Sequence, residues 1–158
     1  MQGDPKVIEA LNSALTAELT AINQYFIHGM MCDHWGYHRL AKKHRDESID
    51  EMRHAQTLIE RILFLEGVPE IARYNLIRVG QDVKTQLQND LAAEREAVKL
   101  YNESVVKCTA ANDAGSRELF EKLIADEEGH LNWLETQLRL IEAVGLDNYL
   151  TEQMGASE

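Results

Sequence analysis

Hydrophobic residues recur every three or four positions along four segments of the chain, the period of a helix with one buried face. The first stripe reads Ile8, Leu11, Leu15, Glu18, Ile22, Tyr25. The second reads Glu47, Glu51, His54, Leu58, Ile62, Leu65. The third reads Leu87, Leu91, Glu94, Val98, Tyr101, Val105, and the fourth Phe120, Leu123, Glu127, His130, Leu134, Leu138, Ile141. Asp4-Pro5, a cap followed by a first-turn proline, opens a helix near residue 5. It runs to about residue 33, where Trp35-Gly36 breaks it. The second helix spans roughly 38–65 and stops at Gly67 and Pro69. Residues 66–81 form a loop, punctuated by Gly67, Pro69, Asn75 and Gly80. The third helix spans about 82–110. Asn112-Asp113 makes a turn, and the fourth helix runs to about Val144, stopped by Gly145. A short final turn, LDNYLTEQM, follows.

Helices of this length are about 42 Å long, and an extended loop of 66–81 can reach about 50 Å. The loop can therefore return the chain along the whole bundle. The pattern predicts an all-α four-helix bundle: two antiparallel hairpins joined by one long crossover that lets helices two and three run parallel.

Composition narrows the class. The 158 residues suit a single domain, 1–158, with 44% hydrophobic and 27% charged residues. No run of apolar residues is long enough to span a bilayer. The N-terminal MQGDPKVIEA lacks the basic and apolar regions of a secretory signal. Cys32 and Cys108 form no CxxC and read as free thiols of a reducing cytoplasm. A net charge of −11 disfavours nucleic acid and anionic lipid as main partners, and is compatible with handling cations.

The candidate chemistry lies where the stripes are interrupted. An ionised carboxylate buried alone costs several kcal/mol, and four at one level would repel one another. Two divalent cations would balance them, with neutral imidazoles from His54 and His130 completing the shell. Hard oxygen donors with two nitrogens suit iron or manganese. Spacing adds a second argument. Glu18 to Glu51 and Glu94 to Glu127 are both 33 residues apart. Adding 76 to Glu18, Tyr25, Glu51 and His54 gives Glu94, Tyr101, Glu127 and His130, the same residue types in order. The chain is thus read as a repeated helical hairpin with metals on its pseudo-axis. A lone Glu-x-x-His carries little information, being an ordinary surface salt-bridge spacing. Two copies, each with a carboxylate 33 residues upstream, form the donor pattern of ferritin-like dimetal proteins.

Over nearly its whole length the sequence resembles the bacterioferritins. The likeness rests on MQGDPKVIEALN, AINQYF, SIDEMRHA, ERILFLEG, ADEEGHLNWLETQL and GLDNYL. It implies a ferritin-like bundle with a short C-terminal helix, one protomer of a hollow shell of twenty-four subunits, of one or two types. Glu51 and Glu127 would bridge two irons, Glu18 with His54 would hold one, and Glu94 with His130 the other. Fe(II) would be oxidised by dioxygen or peroxide and stored as ferric mineral. Met52 lies about 100° around its helix from Glu51 and so outside that centre. By the resemblance it gives its thioether to a haem b shared with a two-fold mate, in a pocket lined by Leu19, Ile22, Asn23, Phe26 and Ile49. That haem would pass electrons inward, supplied by a bacterioferritin-associated ferredoxin.

The resemblance also makes Tyr25 a candidate electron donor to the centre, with Trp133 a further one; from position alone both read as core aromatics. Leu58 stands where some members have tyrosine, and Asp46 where some have an iron-binding histidine, which leaves Asp46 and Asp50 as weaker iron candidates. His28, His34, His38 and His44 match no repeat and read as surface or interface residues, with a pore role open for His34 beside Asp33. Two alternatives stay open: a non-haem ferritin, and a small di-iron oxygenase or peroxidase acting on an organic substrate.

Overall fold

The computed structural model describes residues 1–155. Four long helices, α1 (Pro5–His34), α2 (His38–Phe64), α3 (Val83–Ala110) and α4 (Ala114–Val144), are followed by a short α5 (Leu146–Gln153). The all-α four-helix bundle expected from the periodicity is the fold observed, with the short C-terminal helix that the resemblance implied. α1 packs along α2, α3 along α4, and α1 also lies against α3.

Local chemistry sets the ends of the helices. The Asp4 carboxylate accepts from the Lys6 N–H at 2.7 Å, with Pro5 in the first turn. Asp82 does the same for Thr85 at the start of α3 (2.8 Å) and Asp113 for Ser116 at the start of α4 (2.9 Å). The C-termini of α1, α2 and α3 close with one pattern. Tyr37, Gly67 and Asp113 each donate to the carbonyl five residues back, at 2.9 Å. The left-handed residue in the three turns is Gly36, Glu66 and Asn112. At the second turn, then, the strained position is Glu66 rather than Gly67. Gly67 is needed for a different reason: a Cβ there would sit 2.8 Å from Ile8 Cγ2. At the far end the buried Tyr149 donates to Gln137 Oε1 at 2.8 Å, holding α5 against α4.

The crossover loop is tied to a polar row on α1. Asn12, Thr16, Thr20, Gln24 and His28 are all buried and spaced by four. Asn12 donates to Val68 O (3.1 Å) and accepts from the Glu70 N–H (2.8 Å). The Arg73 guanidinium donates to Thr16 Oγ1 (3.2 Å). The N–H groups of Asn75, Arg78 and Gly80 donate to Thr20 Oγ1 (2.9 Å), Gln24 Oε1 (3.1 Å) and His28 Nε2 (2.9 Å). Apart from the Arg73–Thr16 bond, each satisfies a backbone group of the loop.

The apolar core is split in two. One cluster, around Leu11, Leu15, Leu58, Ile62, Tyr101 and Phe120, fills one end of the bundle. The other, around Leu40, Leu87, Leu91, Leu134 and Ile141, fills the opposite end. Between them lies a belt of buried Glu, Asp, His, Gln and Tyr side chains.

Candidate metal centre

One glutamate comes from each of α1 and α3, Glu18 and Glu94. A Glu-x-x-His pair comes from each of α2 and α4, Glu51/His54 and Glu127/His130. Residues three apart on a helix share a face, so each pair presents both side chains inward. The four carboxylates are 1–3% exposed and His54 is 7% exposed. The six form two overlapping sets, Glu18/Glu51/His54/Glu127 and Glu51/Glu94/Glu127/His130, whose donor atoms lie within 4.8 Å of one another in each set. Glu51 and Glu127 belong to both.

Both imidazoles turn Nδ1 inward. His54 Nδ1 is 3.0 Å from Glu127 Oε1 and 3.5 Å from Glu18 Oε1. His130 Nδ1 is 2.9 Å from Glu51 Oε1 and 3.5 Å from Glu94 Oε1. The outer nitrogens are held by carboxylates: His54 Nε2 lies 3.0 Å from Asp126 Oδ2, and His130 Nε2 lies 2.5 Å from Glu47 Oε2. An acid on Nε2 fixes the ring and leaves Nδ1 as the ligand atom.

The electrostatics are those of a site built around positive charge. Burial, followed by the Glu51 charge, pushes Glu18 up to about 8. Burial and then Glu127 hold Glu94 well above the usual carboxylate range. Burial opposes charge on His54 and His130. Their carboxylate contacts, Glu127 foremost in each case, outweigh it and raise both. Protons therefore do part of the work that cations could do, and metal binding would displace them. Glu18 Oε2, Glu51 Oε1, Glu127 Oε2 and His130 Nδ1 are buried without a hydrogen bond of good geometry, although His130 Nδ1 and Glu51 Oε1 are only 2.9 Å apart. Orphaned buried donors of this kind are costly, and two hard divalent ions would satisfy them. The donor set therefore fits such ions.

Tyr25, the candidate donor, is buried and its hydroxyl donates to Glu94 Oε1 at 2.5 Å. Burial, then the charge of Glu94, keeps that phenol protonated. Trp133 is half-buried beneath the Lys43 ammonium, 4.9 Å from the ring centroid. Asp50 joins Glu47 and His130 in a third cluster of donor atoms. Asp46 is not in it; it pairs with Lys42 on the surface (2.5 Å). Met52 is 57% exposed on the outer face, with Phe26 (56%) and Ile49 (41%) exposed as well. Leu19 and Ile22 are partly buried against the core, and Asn23 is exposed.

Two expectations need correction. His28 and His44 are not surface or interface residues; they are 0% and 1% exposed. His28 Nδ1 donates to Asp90 Oδ1 (2.9 Å) while its Nε2 accepts from Gly80. His44 Nδ1 lies 3.6 Å from Asp90 Oδ2, and burial lowers its pKa to about 4. His34 and His38 are exposed as expected, His38 beside Asp33 (2.9 Å). The sequence reading placed Glu47 in the second stripe without a role and passed over Asp126; these two lie against the outer nitrogens. Asp126 was findable: it is Asp50 plus the repeat offset.

Of the openings that reach the cluster, two differ in kind. A narrow cavity of about 60 Å³ beneath the crossover loop is lined by Thr20, Gln24, Glu51, Glu94 and Tyr101 among others. An open dish of about 440 Å³ is lined by Asp50, Arg53, His54, Thr57, Asp126 and His130. The first is too small for an organic substrate, and the second is charged. The second suits hydrated ions better than an apolar molecule.

Comparison with known proteins agrees with this geometry. The ferritin-like domain family matches residues 8–144. The chain is 50% identical to a bacterioferritin of Brucella melitensis over 94% of this chain and 92% of that protein. It is 49% identical to a bacterioferritin of Rhodobacter capsulatus, over 92% and 90%. A bacterioferritin of Mycolicibacterium paratuberculosis is 46% identical, over 94% of each chain.

Proposed function

The chain belongs to the bacterioferritin family, whose work is iron storage, and we propose that it stores iron by oxidising Fe(II) at the Glu/His cluster within each subunit. The observation that supports this most is the pair of overlapping donor sets sharing Glu51 and Glu127. Two Fe(II) ions, the substrate, bind with Glu51 and Glu127 between them. Glu18 and His54 hold one; Glu94 and His130 hold the other. Adjacent ions share the charge of an oxygen species between them. Six deprotonated donors stabilise Fe(III) over Fe(II), so the protein favours the oxidised product. Asp126 and Glu47 keep the imidazoles turned inward. Tyr25, bonded to Glu94, is placed to supply an electron. The oxidised iron then collects as ferric mineral in the shell.

The shell is a homo-oligomer, read here as twenty-four subunits of one or two types in the cytoplasm. Met52 and its exposed apolar neighbours Phe26 and Ile49 suit a haem b shared across a two-fold axis. Leu19, Ile22 and Asn23 would complete the pocket. Thioether ligation raises the potential of haem iron and favours its reduced state, as a route for electrons from a ferredoxin requires. Among the described residues no helix is long and apolar enough to cross a membrane. The non-haem alternative is tested by visible absorption: a Soret band lost in Met52→Leu supports haem, and a colourless protein under full haem supply removes it. The organic-substrate alternative is disfavoured by the small size of the cavity beneath the crossover loop and the charge of the dish beside His54 and His130; elution at shell mass in size-exclusion chromatography counts further against it. Oxidation itself is tested by stopped-flow absorbance after mixing Fe(II) protein with dioxygen. A fast phase in the natural protein that is absent in Glu94→Ala supports the reading, and equal kinetics refute it.

A further inference from the structure

The repeat that relates the ligands relates two more side chains. Tyr25 on α1 donates to Glu94 on α3 at 2.5 Å. Tyr101 on α3 donates to Glu18 on α1 at 2.6 Å. The two bonds are reciprocal, and each ends on the glutamate that belongs to only one of the two donor sets. Tyr101 is 0% exposed and its ring packs 5.9 Å from that of Phe120. A core position of this kind needs only an apolar ring; a hydroxyl is costly there unless bonded. Here the hydroxyl bonds the candidate ligand, and by taking Glu18 Oε1 it leaves Oε2 free for the metal.

We propose that Tyr101 is a second electron-donating tyrosine, serving the Glu18–His54 half of the centre as Tyr25 serves the Glu94–His130 half. The proposal rests on the ferroxidase reading above. Reduction of dioxygen to two waters takes four electrons and four protons. Two Fe(II) ions supply two electrons. Tyr25 and Tyr101 supply one each. As Tyr101 is oxidised its O–H bond breaks, and the proton crosses to Glu18 Oε1. The Tyr25 proton crosses to Glu94 Oε1 in the same way. One electron from each of two further Fe(II) ions then reduces the two radicals, and each proton returns to its phenol. The four protons of the two waters come from solvent. The sum is four Fe(II) oxidised per dioxygen, with both tyrosines restored and no peroxide released.

Freeze-quench electron paramagnetic resonance of the intact Fe(II)-loaded shell mixed with dioxygen tests this. Tyr25→Phe should keep about half of the tyrosyl radical of the natural protein, and adding Tyr101→Phe should remove the remainder. Loss of the whole signal in Tyr25→Phe alone overturns the proposal, as does a signal in the double variant equal to that in Tyr25→Phe. Placing 3-fluorotyrosine at position 101 keeps the ring and the hydrogen bond. It should add fluorine hyperfine splitting to the Tyr25→Phe signal, and an unsplit signal overturns the proposal without relying on how Tyr101→Phe folds. Anaerobic Co(II) titration separates the two readings. Natural protein that takes up no Co(II) at the cluster contradicts the metal centre itself. Two Co(II) per chain with no radical dependence on position 101 contradicts only the role of Tyr101.

Discussion

Two groups of buried acids and histidines lie side by side in the belt between the apolar cores, and they do different work. In the cluster of Glu18, Glu51, Glu94, Glu127, His54 and His130, negative charge exceeds what hydrogen bonds can absorb. Several oxygens have no donor, and the imidazoles are drawn towards the charged form. In the cluster of Gln24, His28, His44 and Asp90 there is one carboxylate. Its Oδ1 accepts from Gln24 Nε2 (2.8 Å) and from His28 (2.9 Å), and His28 in turn receives the Gly80 N–H. His44 stays neutral. Residue type alone does not make a metal site. Nor do unpartnered atoms alone, since Asp90 Oδ2 and both His44 nitrogens are also buried without a hydrogen bond; what separates the two clusters is four convergent carboxylates against one.

Substitutions should separate the two clusters, most strongly in catalysis. Glu18→Ala or Glu94→Ala is expected to slow rapid Fe(II) oxidation by more than about 100-fold while far-ultraviolet circular dichroism stays helical. Asp90→Ala should leave the fast phase of stopped-flow oxidation close to natural. In stability the order reverses. Asp90→Ala strands His28 and Gln24 and should cost about 3 kcal/mol in denaturant unfolding of the metal-free protein. Glu18→Gln replaces a carboxyl that burial already holds protonated below about pH 8, and should be neutral or stabilising there.

The two clusters should also part on the pH axis. Glu18 titrates at about 8 in the fold against 4.5 ordinarily. Its contribution is full below its ordinary value and is lost as pH rises through about 8. The raised His54 and His130 contribute in the same sense. The Tm of the metal-free protein should therefore fall between about pH 6.5 and 9. Added Co(II), whose binding releases protons, should reverse that slope. His44 works in the opposite sense: its folded pKa is about 4 against 6.5, so its contribution is present above 6.5 and lost as pH falls towards 4. His44→Phe should flatten the acid limb and leave the alkaline one. The smallest effect is expected at the loop tether. Thr20→Val deprives the Asn75 N–H of its acceptor and should cost about 1 kcal/mol in the same unfolding measurement, with oxidation unchanged.

The long helices were legible because their apolar period persists over many turns and their caps are conventional: Asp4-Pro5, Asp82 and Asp113. The buried Glu/His cluster was legible because charge inside an apolar stripe breaks a rule, and because the break occurs twice at the same offset. The row Asn12, Thr16, Thr20, Gln24 and His28 was not legible. On α1 alone, polar residues four apart look like a solvated edge, and only the path of an aperiodic loop turns that edge inward. His28 was misplaced for the same reason, and His44 because its burial comes from packing against His28, Tyr25 and Asp90 of other helices. The stop at Glu66 was hidden by Gly67, since a glycine required for close packing reads like one required for backbone conformation.

The most direct measurement is anomalous scattering at the iron edge from crystals soaked anaerobically in Fe(II). It should give two peaks flanking the line between Glu51 and Glu127, one beside Glu18 and His54, the other beside Glu94 and His130, and none at Gln24, His28, His44 and Asp90. Iron found only at the surface carboxylates, with nothing between Glu51 and Glu127, would contradict it.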